Sequence, residues 1–171
     1  MKQIFDEIEE LSTHQELPEP AWRALAMREV HQAWVSPVIA FLQGKDRTVA
    51  TQILSGTGLP TGHRLEHADT RRFGPLSTDD LARHLATLYL EDLVDVIRST
   101  IDPGLGLAHY QHQLALGPIQ WEPIEKRLAQ TTLLDQWLDE LADTLTAPSP
   151  DLVGISVPFP GMLYGALRLG Q

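Results

Sequence analysis

The run LVGISV at 152–157, rich in β-branched residues, is the one convincing strand signal in this sequence. Runs of this kind are typical of strands buried in parallel sheets. A lone strand cannot satisfy its backbone hydrogen bonds, and no second strand is evident upstream. We therefore expect a mainly α-helical chain followed by a β-strand–turn–α unit, over 148–171, that belongs to an incomplete α/β, Rossmann-like domain.

Helical periodicity accounts for most of the chain before that run. The pattern predicts helices over 2–11, from Pro20 through VHQAWV to a kink or end at Pro37, and over 46–54 with Gly56 just beyond. The strongest helix begins at Ser77, with Asp80 three residues later as in a capping box. Two more fit 119–130 and 132–145.

These elements divide the chain into four parts. We expect an N-terminal helical segment over 1–55, a loop or linker over 56–76, a helical region over 77–147, and the partial α/β unit over 148–171. The large aromatic residues expected to anchor the core are Trp22, Trp34, Trp121 and Trp137.

Composition excludes several classes of function. The 13 Lys and Arg residues against 23 Asp and Glu give a net charge of −10, which repels phosphate backbones and argues against nucleic acid as a partner. Without a signal peptide or a long apolar run, we expect no membrane association and a cytoplasmic location. The sequence has no cysteine, which excludes disulfides, thiol nucleophiles and iron–sulfur clusters within this chain.

The segment PDLVGISVPFPGMLYGALRLG at 150–170 resembles the cobalamin-binding domain of radical SAM proteins, particularly those that mature ribosomal peptide natural products. The preceding runs FGPLSTDDLARHL, DLVDVIRSTIDPGLGLAHYQHQLA and TLLDQWLDELAD are similar to the helical region before that domain. The resemblance covers roughly residues 73–171. It implies that the chain is a non-catalytic portion of a cobalamin-dependent radical SAM enzyme that modifies or methylates a peptide or small metabolite.

The resemblance also implies a corrinoid site. The residues that would face cobalamin or its nucleotide tail follow the expected strand: Ser156, Pro158, Phe159, Pro160 and Gly161. The Cys-x-x-x-Cys-x-x-Cys loop that holds the 4Fe–4S cluster for S-adenosylmethionine cleavage is absent. That cluster and S-adenosylmethionine would belong to the rest of the parent protein. We therefore expect no catalytic residue in this chain, which would be a truncated or degenerate relative.

Two other functions stay open. One is a stand-alone helical module that binds a protein or peptide, with self-association through the exposed strand edge as a further expectation. The other is a zinc peptidase, because His63-Arg64-Leu65-Glu66-His67 matches the pattern His-x-x-Glu-His, with Glu140 as the nearest third ligand. A solvated loop explains the motif more simply, and surface histidines explain His109 and His112, so we assign no metal ligands.

Overall fold

The computed structural model describes residues 1–56, 58–68, 77–106, 121–158 and 162–171, and the regular secondary structure within these ranges is helical. Its elements, in chain order, are α1 (Lys2–Ser12), α2 (Glu19–Ala26), α3 (Arg28–Leu42), α4 (Val49–Leu54), α5 (His63–Glu66), α6 (Thr78–Thr100), α7 (Trp121–Leu128), α8 (Leu133–Thr146) and α9 (Leu163–Leu169). They form two compact units, Met1–Leu105 and Gly106–Gln171, here called unit 1 and unit 2. The expected helical region 77–147 therefore spans parts of both units.

The prediction of a strand at 152–157 is wrong. These residues lack regular secondary structure and are exposed, and the described part of the chain contains no strand that could pair with them. Strand formation needs a partner edge, so β propensity alone does not order this run. The expected β-strand–turn–α unit and its Rossmann-like sheet are thus not supported, although the helix of that unit forms as α9.

Helix α6 organises unit 1, because each of the helices α1 to α5 packs against it. Its buried residues recur every three or four positions: Ala82, Ala86, Tyr89, Leu93, Val96 and Ile97. The sequence predicted this helix with an apolar face made of six residues, of which three are buried and three half-buried: Tyr89, Val96 and Ile97 are buried, and Leu81, Leu85 and Leu88 are half-buried. The buried face also includes Ala82 and Ala86, whose small side chains allow neighbouring helices to approach closely.

The ends of several helices follow the predicted capping chemistry. The backbone N–H of Asp80 donates to Oγ of Ser77 at 3.1 Å, which confirms Ser77 as the N-cap of α6. Gly56 follows α4 with a φ of 70°, a left-handed conformation that glycine adopts without steric cost. Helix α3 contains Pro37 and continues to Leu42, as far as the helical turns expected after that proline. The single helix expected from Pro20 onward is instead divided into α2 and α3 at Met27.

The tryptophans are not the core anchors that the sequence suggested. Trp22 and Trp121 are 49% and 57% exposed, while Trp34 and Trp137 are half-buried. The large, fully buried side chains of unit 1 are instead those of Phe5, Ile8, Val38, Phe41 and Tyr89. Trp22 is exposed because helix α2 buries the face that carries Ala21 and Ala24, and Trp22 lies on another face.

Unit 2 is held together by a polar network around Asp135, which is fully buried. The carboxylate accepts hydrogen bonds from the Tyr164 hydroxyl at 2.6 Å, from the Arg127 guanidinium at 2.8 Å and from the Thr132 backbone N–H at 2.8 Å. Arg168 adds a bidentate pair with Asp139, at 2.6 and 2.8 Å. These contacts join α7, α8 and α9.

Candidate functional site

Two regions could bind another molecule. The first is the run 152–157, which lacks regular secondary structure and is here called the LVGISV segment. Its large apolar side chains are exposed: Leu152 by 87%, Val153 by 44%, Ile155 by 42% and Val157 by 38%. None of the hydrogen bonds formed among the described residues involves a backbone group of 150–158. The segment therefore presents both apolar side chains and free backbone polar groups to whatever covers it.

The elements on either side of the LVGISV segment are firmly connected. Helix α8 precedes it and α9 follows it, and these two helices share the Tyr164–Asp135 hydrogen bond and the Arg168–Asp139 ion pair. The exposed run is thus flanked by two helices that pack against each other. Its position in unit 2 is constrained even though its own side chains are uncovered.

The residues predicted to face a corrinoid lie on or next to this segment. Ser156 and Pro158 are exposed, so a ligand could reach both. Phe159, Pro160 and Gly161 lie outside the described residues, and their part of the predicted site stays a prediction.

The second region is a cavity of about 340 Å³ in unit 1, here called the unit 1 cavity. Its walls come from α2, the start of α3, the residues before α5, and α6. The apolar side of the wall consists of Pro20, Ala24, Met27, Pro60, Leu93 and Val96. This size and mixed lining are within the range of small-molecule sites in proteins.

The unit 1 cavity is also lined by a buried histidine–tyrosine pair. Nδ1 of His31 lies 3.2 Å from the hydroxyl of Tyr89, and the two rings are stacked at 5.7 Å, with Phe5 against the other side of the imidazole. Burial lowers the pKa of His31 to about 4 and raises the pKa of Tyr89. Both side chains are therefore neutral near pH 7, where they offer hydrogen-bonding groups without charge.

Asp92 connects α6 to the wall formed before α5. Its two carboxylate oxygens accept the backbone N–H groups of Arg64 at 2.9 Å and Leu65 at 3.2 Å. Gly62 passes so close that a Cβ atom there would overlap Cγ of Asp92. The sequence predicted Asp92 to lie on a solvated face with Asp95 and Asp102, whereas it is half-buried. Its hydrogen bonds could not be predicted from a local pattern, because they join residues 28 and 27 positions apart.

The His-x-x-Glu-His motif forms α5 and its C-cap. Nδ1 of His67 lies 2.8 Å from the carbonyl of His63, while Glu66 is bound by Arg23 at 2.5 Å. This hydrogen bond and the charge of Arg23 lower the pKa of Glu66. A carboxylate held in this way is poorly placed to activate water.

The other proposed ligands do not complete a zinc site. Within the described ranges, no group of three or more His, Asp or Glu side chains is arranged to hold a metal ion. Glu140 is exposed on α8 of unit 2, while His63 and His67 belong to unit 1. His109 and His112 lie outside the described residues.

No helix in the part of the chain that the structure describes has the length and apolar character needed to cross a membrane. Comparisons with protein-family models, curated proteins and solved structures found no match to this chain.

Proposed function

We propose that this chain is a non-catalytic portion of a cobalamin-dependent radical SAM enzyme, in which it supplies scaffold and part of the corrinoid-binding surface. The observation that carries the proposal is the exposed LVGISV segment, whose backbone forms no hydrogen bond with the residues that the structure describes. The same residues carry the resemblance of 150–170 to the cobalamin-binding domain of these proteins. The parent enzyme would modify or methylate a peptide or small metabolite.

An uncovered apolar segment of this kind favours association with a larger body. Burying apolar surface is worth about 25 cal/mol per Å². The four apolar side chains of the LVGISV segment would gain this energy on being covered by a bulky ligand, by the remainder of the parent protein or by a partner. Backbone groups that have no partner among the described residues would add directional hydrogen bonds to that contact.

The resemblance implies two groups, cobalamin and an iron–sulfur cluster, and the residues of this chain are compatible with only the first. Cobalamin is compatible with the described residues, since Ser156 and Pro158 are accessible beside exposed apolar side chains. When bound, cobalamin would supply methyl-transfer or radical chemistry, while this chain would cover part of the corrin. The iron–sulfur cluster does not fit, because the sequence has no cysteine to hold it. Reductive cleavage of S-adenosylmethionine would take place elsewhere in the parent protein.

Equilibrium dialysis of the purified chain against hydroxocobalamin tests the proposal. We expect saturable binding of one corrinoid per chain, abolished by Val157→Asp, which places a charge in the LVGISV segment. Val30→Asp is the matched control, because Val30 is 40% exposed and Val157 is 38% exposed, but Val30 lies on α3 of unit 1. Absence of saturable binding, or equal loss in both variants, would contradict corrinoid binding by this segment.

The second candidate is a stand-alone helical module that binds a protein or peptide. The observation that favours it is the unit 1 cavity, which is large enough to take one side chain of a partner. A pure interaction module should bind no cobalamin, so the same dialysis experiment separates the two proposals.

A further inference from the structure

The charged groups of the unit 1 cavity are unevenly distributed. Three carboxylates, those of Glu19, Asp92 and Asp95, line it together with the single guanidinium of Arg23. Its histidines, His31 and His63, add no fixed charge when neutral. In a partly enclosed site, such an excess of negative charge disfavours anions and attracts cations.

Two of the three carboxylates are already paired with cationic side chains. Glu19 lies 3.6 Å from Nε of Arg23, and Asp95 binds Arg64 and Arg98, each at 2.7 Å. Asp92 differs, because its hydrogen bonds among the described residues come from two backbone N–H groups of α5. No cationic side chain of these residues lies within ion-pair distance of it, and the guanidiniums of Arg23 and Arg64 act on its charge only at longer range.

A carboxylate can accept about four hydrogen bonds. Asp92 receives two, one on each oxygen, so acceptor capacity is left on a half-buried group that lines the cavity. A protonated amine could use this capacity and would give Asp92 a hydrogen-bond donor that also carries a positive charge.

The rest of the cavity fits an apolar body attached to that amine. Leu93 and Val96 are buried beside Asp92 on α6, and Met27, between α2 and α3, also lines the cavity, where its thioether could contact an aromatic ring. A volume of about 340 Å³ equals that of roughly eleven water molecules, which is enough for a single-ring amine. The buried His31–Tyr89 pair contributes neutral polar groups that do not repel a cation.

We propose that the unit 1 cavity binds a small organic cation, namely a protonated amine on an aromatic or other apolar body, with Asp92 as its anchor. The site is separate from the LVGISV segment and does not depend on the corrinoid proposal.

Fluorine NMR with two probes tests this assignment. The probes are para-fluorophenethylamine and para-fluorophenylpropionate, which share the ring and linker but carry opposite charges at neutral pH. We expect saturable binding of the amine and at least about tenfold weaker binding of the acid, a difference that corresponds to one well-placed ionic contact. Equal binding of the two probes, or no binding of either, would overturn the proposal.

The anchor is tested separately. Asp92→Asn should weaken amine binding about tenfold, whereas Asp79→Asn should not, because Asp79 pairs with Arg83 on α6 and does not line the cavity. Unchanged binding to folded Asp92→Asn would refute the role of Asp92.

If that variant fails to fold, the wild-type protein provides the readout. Amide resonances of Arg64 and Leu65, which donate to Asp92, should shift as the amine saturates. Shifts confined to amides outside the cavity walls would also overturn the assignment.

Discussion

The Tyr164 hydroxyl donates a 2.6 Å hydrogen bond to Asp135, a carboxylate with no exposed surface. The contact joins α9 to α8 across 29 residues of sequence, and the LVGISV segment lies between the two helices. Arg127 from α7 completes the arrangement by binding the same carboxylate and stacking over the Tyr164 ring at 4.7 Å. The polar network of unit 2 therefore fixes the helices that flank its exposed segment.

Removing the Tyr164 hydroxyl should destabilise unit 2. Tyr164→Phe keeps the ring under Arg127 but removes two hydrogen bonds, one donated to buried Asp135 and one accepted from Arg127. We expect a loss of about 1–3 kcal/mol in the free energy of unfolding. Urea unfolding followed by tryptophan fluorescence measures it. Thr144→Ala, which removes an exposed hydroxyl from α8, should change the free energy by less than about 0.5 kcal/mol. Equal effects of the two substitutions would contradict the importance of the buried contact.

Acid should weaken the same network. Burial alone would raise the pKa of Asp135, but hydrogen bonds from Tyr164, Arg127 and Thr132 lower it from the ordinary 3.8 to about 2. A carboxyl whose pKa is lower in the folded state stabilises the protein above its unfolded pKa, and this contribution is lost as pH falls from about 4 to about 2. Urea midpoints in this interval should decrease more steeply for the wild type than for Asp135→Asn. Parallel curves would show that Asp135 does not contribute.

Local signals predicted most helices correctly, because a cap or an apolar period is contained within one element. Ser77 identifies the start of α6 for this reason. The buried face of α6 was predicted only in part, because apolar periodicity identifies large residues such as Tyr89 but not small buried ones such as Ala86.

Features that depend on distant partners could not be predicted. The LVGISV segment has the composition of a strand, but strand formation depends on a neighbouring edge that the described residues do not provide. The cavity was missed for a similar reason, since His31 and Tyr89 meet across 58 residues and no motif links them.

His31, the buried histidine of unit 1, should make the stability of the protein depend on pH in a range closer to neutral than the range given for Asp135. Burial lowers the pKa of His31 from 6.5 to about 4, so the unfolded chain binds a proton more readily than the folded one between these values. Stability should therefore be fully present above pH 6.5 and should fall by about 2 kcal/mol on acidification to pH 5.

His31→Gln provides the comparison, because glutamine keeps a polar group near Tyr89 and does not titrate. Urea unfolding at pH 7 and pH 5 should show that the free energy of unfolding decreases on acidification for the wild type and decreases less for His31→Gln. The prediction fails if His31→Gln loses as much stability as the wild type. His14→Gln is the control, since His14 is exposed and its replacement should leave the wild-type pH dependence unchanged.

Gly62, in the wall of the unit 1 cavity, should tolerate a side chain poorly. Adding a Cβ there brings it into overlap with Cβ and Cγ of Asp92, which cannot move without breaking its bonds to Arg64 and Leu65. We expect Gly62→Ala to cost about 1–3 kcal/mol, the usual range for overpacking. Gly154→Ala is the matched control, because nothing lies within 4 Å of a Cβ built at Gly154. Chemical denaturation of both variants decides the question: a Gly62→Ala protein as stable as Gly154→Ala would mean that the wall before α5 moves away from Asp92 at little cost.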